Sequence, residues 1–171
     1  MKTGERHATR RVVKIPRGKK AASAAALSKS YFTDLFLADP MQQVVLIRKG
    51  IPAKALVKTS KAMQLSSEHL YKVLRFPAST VKRKLERNEM LTPEQSERIL
   101  GLQRMIGQVQ TIVAESGDAD KAFNAAEWVA NWLEEPIPAL GNQKPGEFMD
   151  TVAGQEMISN LLARMQSGAY A

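Results

Sequence analysis

LTPEQSERILGLQRMIGQVQTIVAESG, residues 91–117, decides the fold class. Thr92 is followed by Pro93 and, three positions on, by Gln95. A hydroxyl cap, a proline at the first helical position and a glutamine at the third form a capping box. Ile99, Leu102, Ile106, Val109 and Val113 then recur every three or four residues, the period of one helical face. The stretch therefore predicts one long amphipathic helix stopping near Gly117.

The same period continues outward on both sides. Downstream, a helix is expected from Asp118, with Phe123, Ala126, Val129 and Leu133 on one face and Trp128 and Trp132 four apart on the next. That pair is either core packing or an interface anchor. A proline-rich corner follows, WLEEPIPALGNQKPGEFMD, residues 132–150. Pro136, Pro138 and Pro145 fix φ and remove donors, so the corner is not helical throughout, with Leu140 and Gly141 between. Thr151 then caps a last helix carrying Ile158, Leu161 and Met165 and stopping near Gly168. Upstream, residues 39–88 read as short helices. Asp39, Pro40 and Gly50 bracket the first, Pro52 opens the second and Ser66 caps the third. Pro77 stands in the first turn of the fourth. No run alternates with period two long enough to make a strand. The expected class is all-α, divided into a basic arm (1–30), a helix-turn-helix domain (31–90) and a helical C-terminal domain (91–171).

Charge divides the chain in the same way. Residues 1–89 hold 20 Lys and Arg against 6 Asp and Glu, a net +14. Residues 90–171 hold 5 against 11, a net −6. A basic half suits polyphosphate and an acidic half suits a different partner. The first 30 residues are cationic, rich in Ala and Ser and poor in large apolar side chains. They read either as a solvated tail or as an arm that follows a DNA backbone. There is no cysteine, which removes disulfides, thiolate metal sites and cysteine nucleophiles. TRRVVK at residues 9–14 looks like a twin-arginine signal but lacks the apolar segment such a signal needs. No stretch is long and apolar enough to span a membrane. The expected place of action is the cytoplasm.

Catalysis finds no support. His7 and His69 have no partner at metal-ligand spacing, so neither a metal nor a cofactor is expected. RGKK at residues 17–20 lacks the glycine and hydroxyl of a phosphate loop. Glu134 and Glu135 are adjacent on a helix and point about 100° apart, which fits helix-end solvation better than a carboxylate pair.

Nucleic acid is better supported. Residues 66–88 have the layout of a helix-turn-helix, with RFPA as the turn. Its second helix offers Ser79, Thr80, Lys82, Arg83, Lys84 and Arg87, with Val81 and Leu85 turned inward. Hydroxyls and cations at the start of such a helix are what phosphates and base edges in a major groove accept.

The C-terminal half also resembles a known family. The Leu-Thr-Pro-Glu entry, the helix ending in Trp-Leu, the Pro-x-Pro-Ala-Leu-Gly corner, the Lys-Pro step, the Asp-Thr-x-x-Gly helix start and the closing Gly-x-Tyr are together similar to the toxin-binding domain of Xre/MbcA/ParS-type antitoxins. The stretch from IRKGIPAKAL to FPASTVKRKL is similar to the helix-turn-helix of the same proteins. Two positions depart from the pattern: Ile137 precedes Pro138, and Val152 follows Thr151. The resemblance implies an antitoxin that occludes the active site of a RES-domain, NAD-degrading toxin, binds operator DNA to repress its own operon, and forms a homodimer. It also implies that Arg164, Gly168 and Tyr170 lie nearest the toxin cleft. The alternative is a transcription regulator of an unrelated operon whose C-terminal domain dimerises or senses a ligand.

Overall fold

The computed structural model describes residues 29–116 and 123–166. They form α1 (Lys29–Phe36), α2 (Pro40–Lys49), α3 (Lys54–Ala62), α4 (Ser67–Val73), α5 (Ala78–Glu86), α6 (Pro93–Glu115), α7 (Ala125–Trp132), 3-10 turns at Pro138–Leu140 and Pro145–Phe148, and α8 (Val152–Gln166). The fold is all-α: among the described residues the only β pairings are two isolated bridges, Pro52 with Met90 and Ile137 with Gln143. None of these helices is long and apolar enough to cross a membrane.

α6 is the spine. Its capping box forms as expected: Thr92 Oγ1 accepts from Gln95 N at 3.3 Å, and Gln95 Oε1 accepts from Thr92 N at 3.1 Å. Ile99, Leu102 and Ile106 are wholly buried, and α1, α2, α7 and α8 all pack against this helix. One apolar cluster runs from Phe32 through α3–α5 to Ile158 and Leu162, so both halves of the chain share a core.

Glycines let α6 be approached closely. A Cβ on Gly107 would overlap the Phe32 carbonyl of α1, and one on Gly101 would overlap the Gln155 side-chain oxygen of α8. Buried polar side chains fasten the crossings. Gln103 Nε2 donates to Thr59 Oγ1 at 2.9 Å and Ser96 Oγ accepts from Ile51 N at 2.9 Å. Gln108 and Ser159 join α6 to α8 through Gln108 Nε2 to the Ser159 carbonyl at 2.9 Å and Ser159 Oγ to Gln108 Oε1 at 2.7 Å.

Several local expectations are met and others are corrected. Asp39 caps α2, with its carboxylate accepting from Met41 N at 2.8 Å, and Pro40 opens that helix. Ser66 caps α4 and Thr151 Oγ1 accepts from Gly154 N at the start of α8. α1 was not foreseen. Phe32 and Leu35 are buried against α6, but the helix has only eight residues and follows a run rich in Ala and Ser, so no long period announces it. Pro52 and Pro77 stand outside the helices they were expected to open: Pro52 precedes α3, and Pro77 is the extended N-cap of α5. The helix expected from Asp118 begins at Ala125. Asn124 is its cap, accepting from Ala126 N and Glu127 N at 3.2 and 3.3 Å. Asparagine caps as well as aspartate does, and it sits one residue before the apolar run. The expected stops at Gly117 and Gly168 lie outside the described residues.

Candidate DNA-binding and toxin-binding surfaces

α3, α4 and α5 end alike. The residue after each cap is left-handed without being glycine: Gln64 (φ 56°), Arg75 (φ 50°) and Asn88 (φ 52°). The next N–H reaches back into the last turn, from Leu65 to Ser60, Phe76 to Tyr71 and Glu89 to Lys84. This closure satisfies terminal carbonyls and turns the chain sharply. Between α4 and α5 it yields the short turn of a helix-turn-helix. Arg75 accepts a backbone penalty of about 1 kcal/mol there, and Phe76 plugs the turn into the core with the Arg98 guanidinium 5.9 Å from its ring centre.

α5 then lies with Val81 fully buried and Leu85 half-buried beneath it. Ser79, Lys82, Arg83 and Arg87 are exposed, and the helical spacing brings them onto the outward side. Thr80 is half-buried at its margin. Lys84 stands apart from that set. Its side chain is 13% exposed and its ammonium donates to the Met90 carbonyl at 2.8 Å, which anchors the turn after α5. Lys82 is 3.9 Å from Glu68, and Arg87 is 3.8 Å from Glu89. At these exposures such pairs are weak and open readily to a competing phosphate.

The corner at the other end is a closed loop. Pro138–Leu140 makes a 3-10 turn, and two left-handed residues follow, Gly141 (φ 66°) and Asn142 (φ 62°). Ile137 N donates to the Gln143 carbonyl at 3.1 Å, and Asn142 N donates back to the Ile137 carbonyl at 3.0 Å. Pro136 and Pro138 are exposed, Leu140 is half-buried against the core and Pro145 is buried. Gly146 N donates to the Leu133 carbonyl at 2.9 Å, fastening the second turn to the end of α7. Trp132 is buried and stacks with half-buried Trp128, ring centres 5.7 Å apart, which makes this pair part of the packing.

α8 is launched from this corner by a small polar knot. Gln155, nearly buried, donates from Nε2 to the carbonyls of Arg98 and Met149, each at 2.9 Å. Gly154 must be glycine, because a Cβ would overlap the Phe148 carbonyl. Ile158, Leu161 and Leu162 are buried, whereas Ala163, Arg164, Met165 and Gln166 are all exposed. Arg164 thus stands in the outward last turn. Gly168 and Tyr170 lie outside the described residues.

Sequence reading missed the contact between these two regions. His69 Nε2 is 3.0 Å from Glu134 Oε1, Lys144 Nζ is 3.0 Å from Glu134 Oε2, and Arg75 Nε is 3.1 Å from Asp150 Oδ2. Glu134 is therefore a bridge between α4 and the corner, not a solvated helix end. The Lys144 ammonium, hydrogen-bonded to Glu134, holds its carboxyl below the usual carboxylate range, and His69 adds to the effect against a smaller opposing one from burial. Only the fold brings residues this far apart together, and each alone looks like an ordinary surface charge. Among the described residues no three His, Cys, Asp or Glu side chains cluster to hold a metal.

Comparison with known proteins accounts for both regions. Residues 42–104 match the family model of the antitoxin Xre-like helix-turn-helix domain. Residues 118–168 match that of the antitoxin Xre/MbcA/ParS C-terminal toxin-binding domain. A Sphingobium protein named Prs ADP-ribosylating antitoxin is 36% identical over 154 residues, spanning 90% of this chain and 96% of that protein. Proteins named Antitoxin Xre from Yersinia enterocolitica and Photorhabdus laumondii are 27% and 23% identical. They span 55% and 72% of this chain, and 57% and 77% of their own lengths. The chain belongs to the Xre/MbcA/ParS family and is an antitoxin of a toxin–antitoxin system, with an Xre-like helix-turn-helix domain followed by a C-terminal toxin-binding domain.

Proposed function

We propose that this antitoxin neutralises a RES-domain toxin that consumes NAD, by covering the toxin's active site with the end of α8 and the residues after it. The same chain represses its own operon through the outward face of α5. The observation that carries the toxin half is the contrast within α8. Its first three turns are locked to α6 and the corner, while the last turn, with Arg164, is exposed on every residue. A rigid stem with an exposed tip is suited to entering a cleft without prior ordering cost. Gly168 and Tyr170, which lie outside the described residues, belong to the same proposed contact with the toxin. The net −6 of residues 90–171 complements a cleft built for the phosphates of a dinucleotide. The name of the Sphingobium relative joins an antitoxin to ADP-ribosylation, a reaction that draws its ADP-ribose from NAD.

On this reading occlusion needs shape and charge and no reaction, so the protein is not an enzyme and uses no cofactor. It acts in the cytoplasm, where NAD and operator are both found. A homodimer presents two copies of α5 to an operator with two half-sites. Ser79, Lys82, Arg83 and Arg87 contact DNA on the exposed side, with Thr80 at the edge; Lys84 supports the helix from beneath.

The test is co-expression with the product of the adjacent gene. Growth, cellular NAD and ADP-ribosylated protein are followed as antitoxin is titrated. Restored growth with NAD preserved is expected at equimolar antitoxin. Continued NAD loss with antitoxin in excess overturns the toxin assignment. Binding only to the promoter of an unrelated operon would replace autorepression with the regulator alternative.

A further inference from the structure

We propose that the outward face of α2 is where a second copy of this chain docks, as an antiparallel α2–α2′ pair about a two-fold axis. This rests on the homodimer reading above and assigns its surface. α2 buries none of its residues fully. Its inner side, with Leu46 and Ile47, packs half-buried on the core. Its outer side carries Met41, Val44 and Val45 at 69%, 37% and 54% exposure, with Leu37 one turn earlier at 65%. Within the helix Met41, Val44 and Val45, spaced i, i+3 and i+4, share one face, and Leu37 stands in the bend just before the cap. These four are half of the eight large apolar side chains exposed among the described residues, gathered within nine positions. Scattered exposed apolar residues need no explanation, but a contiguous stripe on a chain of net +8 does. Val44 also borders a cleft of about 480 Å³ between α2 and α8, of mixed character, lined by Ile47 and Val152 together with Glu97, Arg104 and Glu156.

The pattern along α2 selects the occupant. The helix has its acidic group at one end, Asp39 at the cap, and its cations at the other, Arg48 and Lys49 in the last turn. A two-fold interface must be self-complementary. Antiparallel pairing supplies this: the midpoint of Pro40–Lys49 falls between Val44 and Val45, so the valines meet at the axis. Met41 then lies beside the partner copy's cationic end, and each Asp39 faces cations. The helix dipoles also oppose favourably. Parallel pairing would set like charges together. DNA has nothing to offer an uncharged apolar stripe, since its affinity comes from phosphates.

The experiment uses the full chain without toxin or DNA. Sedimentation equilibrium is run on wild type and on Val45→Asp, whose exposed position leaves the fold intact as checked by circular dichroism. Because the chain has no cysteine, Val45→Cys places a single thiol at the proposed axis, and Met157→Cys on exposed α8 is the control. The expected results are a wild-type dimer, dimerisation weakened by on the order of 30-fold or more in Val45→Asp, as for a central interface residue, and a disulfide-linked dimer from Val45→Cys only. A monomeric wild type overturns both this surface and the homodimer reading. A Val45→Asp dimer as tight as wild type overturns the surface and leaves the homodimer standing. So does a Val45→Cys protein that forms no more disulfide-linked dimer than Met157→Cys.

Discussion

Gly101→Ala should be harmful in the wild-type protein and beneficial once Gln155 is truncated. Gly101 is inside α6, where alanine would ordinarily gain about 0.5–1 kcal/mol over glycine. A Cβ there overlaps the Gln155 side-chain oxygen and comes within 2.8 Å of Cδ. Gln155 is 6% exposed and cannot swing away without giving up its bonds to the carbonyls of Arg98 and Met149. Two such bonds are worth about 2 kcal/mol together. The net effect of Gly101→Ala is then a loss of about 1–1.5 kcal/mol. Gln155→Ala alone loses both bonds and some packing, about 2–3 kcal/mol. In that background the new methyl meets no obstacle and Gly101→Ala gains about 0.5–1 kcal/mol. The coupling between the two changes is therefore about 2 kcal/mol, well above the scatter expected of independent sites. Urea unfolding of the four proteins measures it directly, provided the m-values agree. Destabilisation by the same amount in both backgrounds would refute the knot as the device that seats α8. Gly107→Ala is the contrast, because the obstacle is the Phe32 backbone carbonyl and no side-chain truncation can relieve it.

Four further outcomes are expected. Arg83→Ala should weaken operator binding by about 1–3 kcal/mol if it reads a base, leaving toxin affinity unchanged. Lys84→Ala should instead lower thermal stability with a smaller effect on DNA, and equal operator losses in the two variants would contradict the inward placement of Lys84. Removing the residues after Gln166 should weaken neutralisation much more than operator binding, measured by growth rescue and gel shift; parallel losses would undo the division of labour. The Glu134 carboxyl is held low by Lys144 and His69, so its contribution is present above the unfolded value near 4.5 and is lost as pH falls through the folded one. The stability gap between wild type and Glu134→Gln should therefore shrink on acidification from about pH 7 to about pH 3, and also shrink with added salt because the pair is partly exposed. A gap that ignores both would exclude the bridge as its source.

Capping and periodicity are local properties, and they were readable. Thr92 with Gln95, Asp39 with Pro40, Ser66 and Thr151 each announce a helix start because the bonding groups lie within three residues of each other. The long apolar period of α6 and the charge division point to an all-α protein with two tasks. The helix-turn-helix was also legible, because its turn, its inward valine and its cationic outer side fall within 23 consecutive residues. α1 was not: its partner, Gly107, lies in a helix 71 residues beyond its own end.

The sequence by itself thus determined the helices, most of their caps, the proline corner and the likeness to antitoxins, since each depends on neighbours along the chain. Only the tertiary structure decided which of those residues act together. It withdrew Lys84 from the exposed cations of α5, tied His69 to Glu134 and Arg75 to Asp150, and made Gly101 a socket for Gln155. It also left the apolar side of α2 facing outward. The reason is physical: burial and ion pairing are set by distance in space. A chain of 171 residues states its local preferences directly, but discloses long-range contacts only once helix packing has fixed which faces meet.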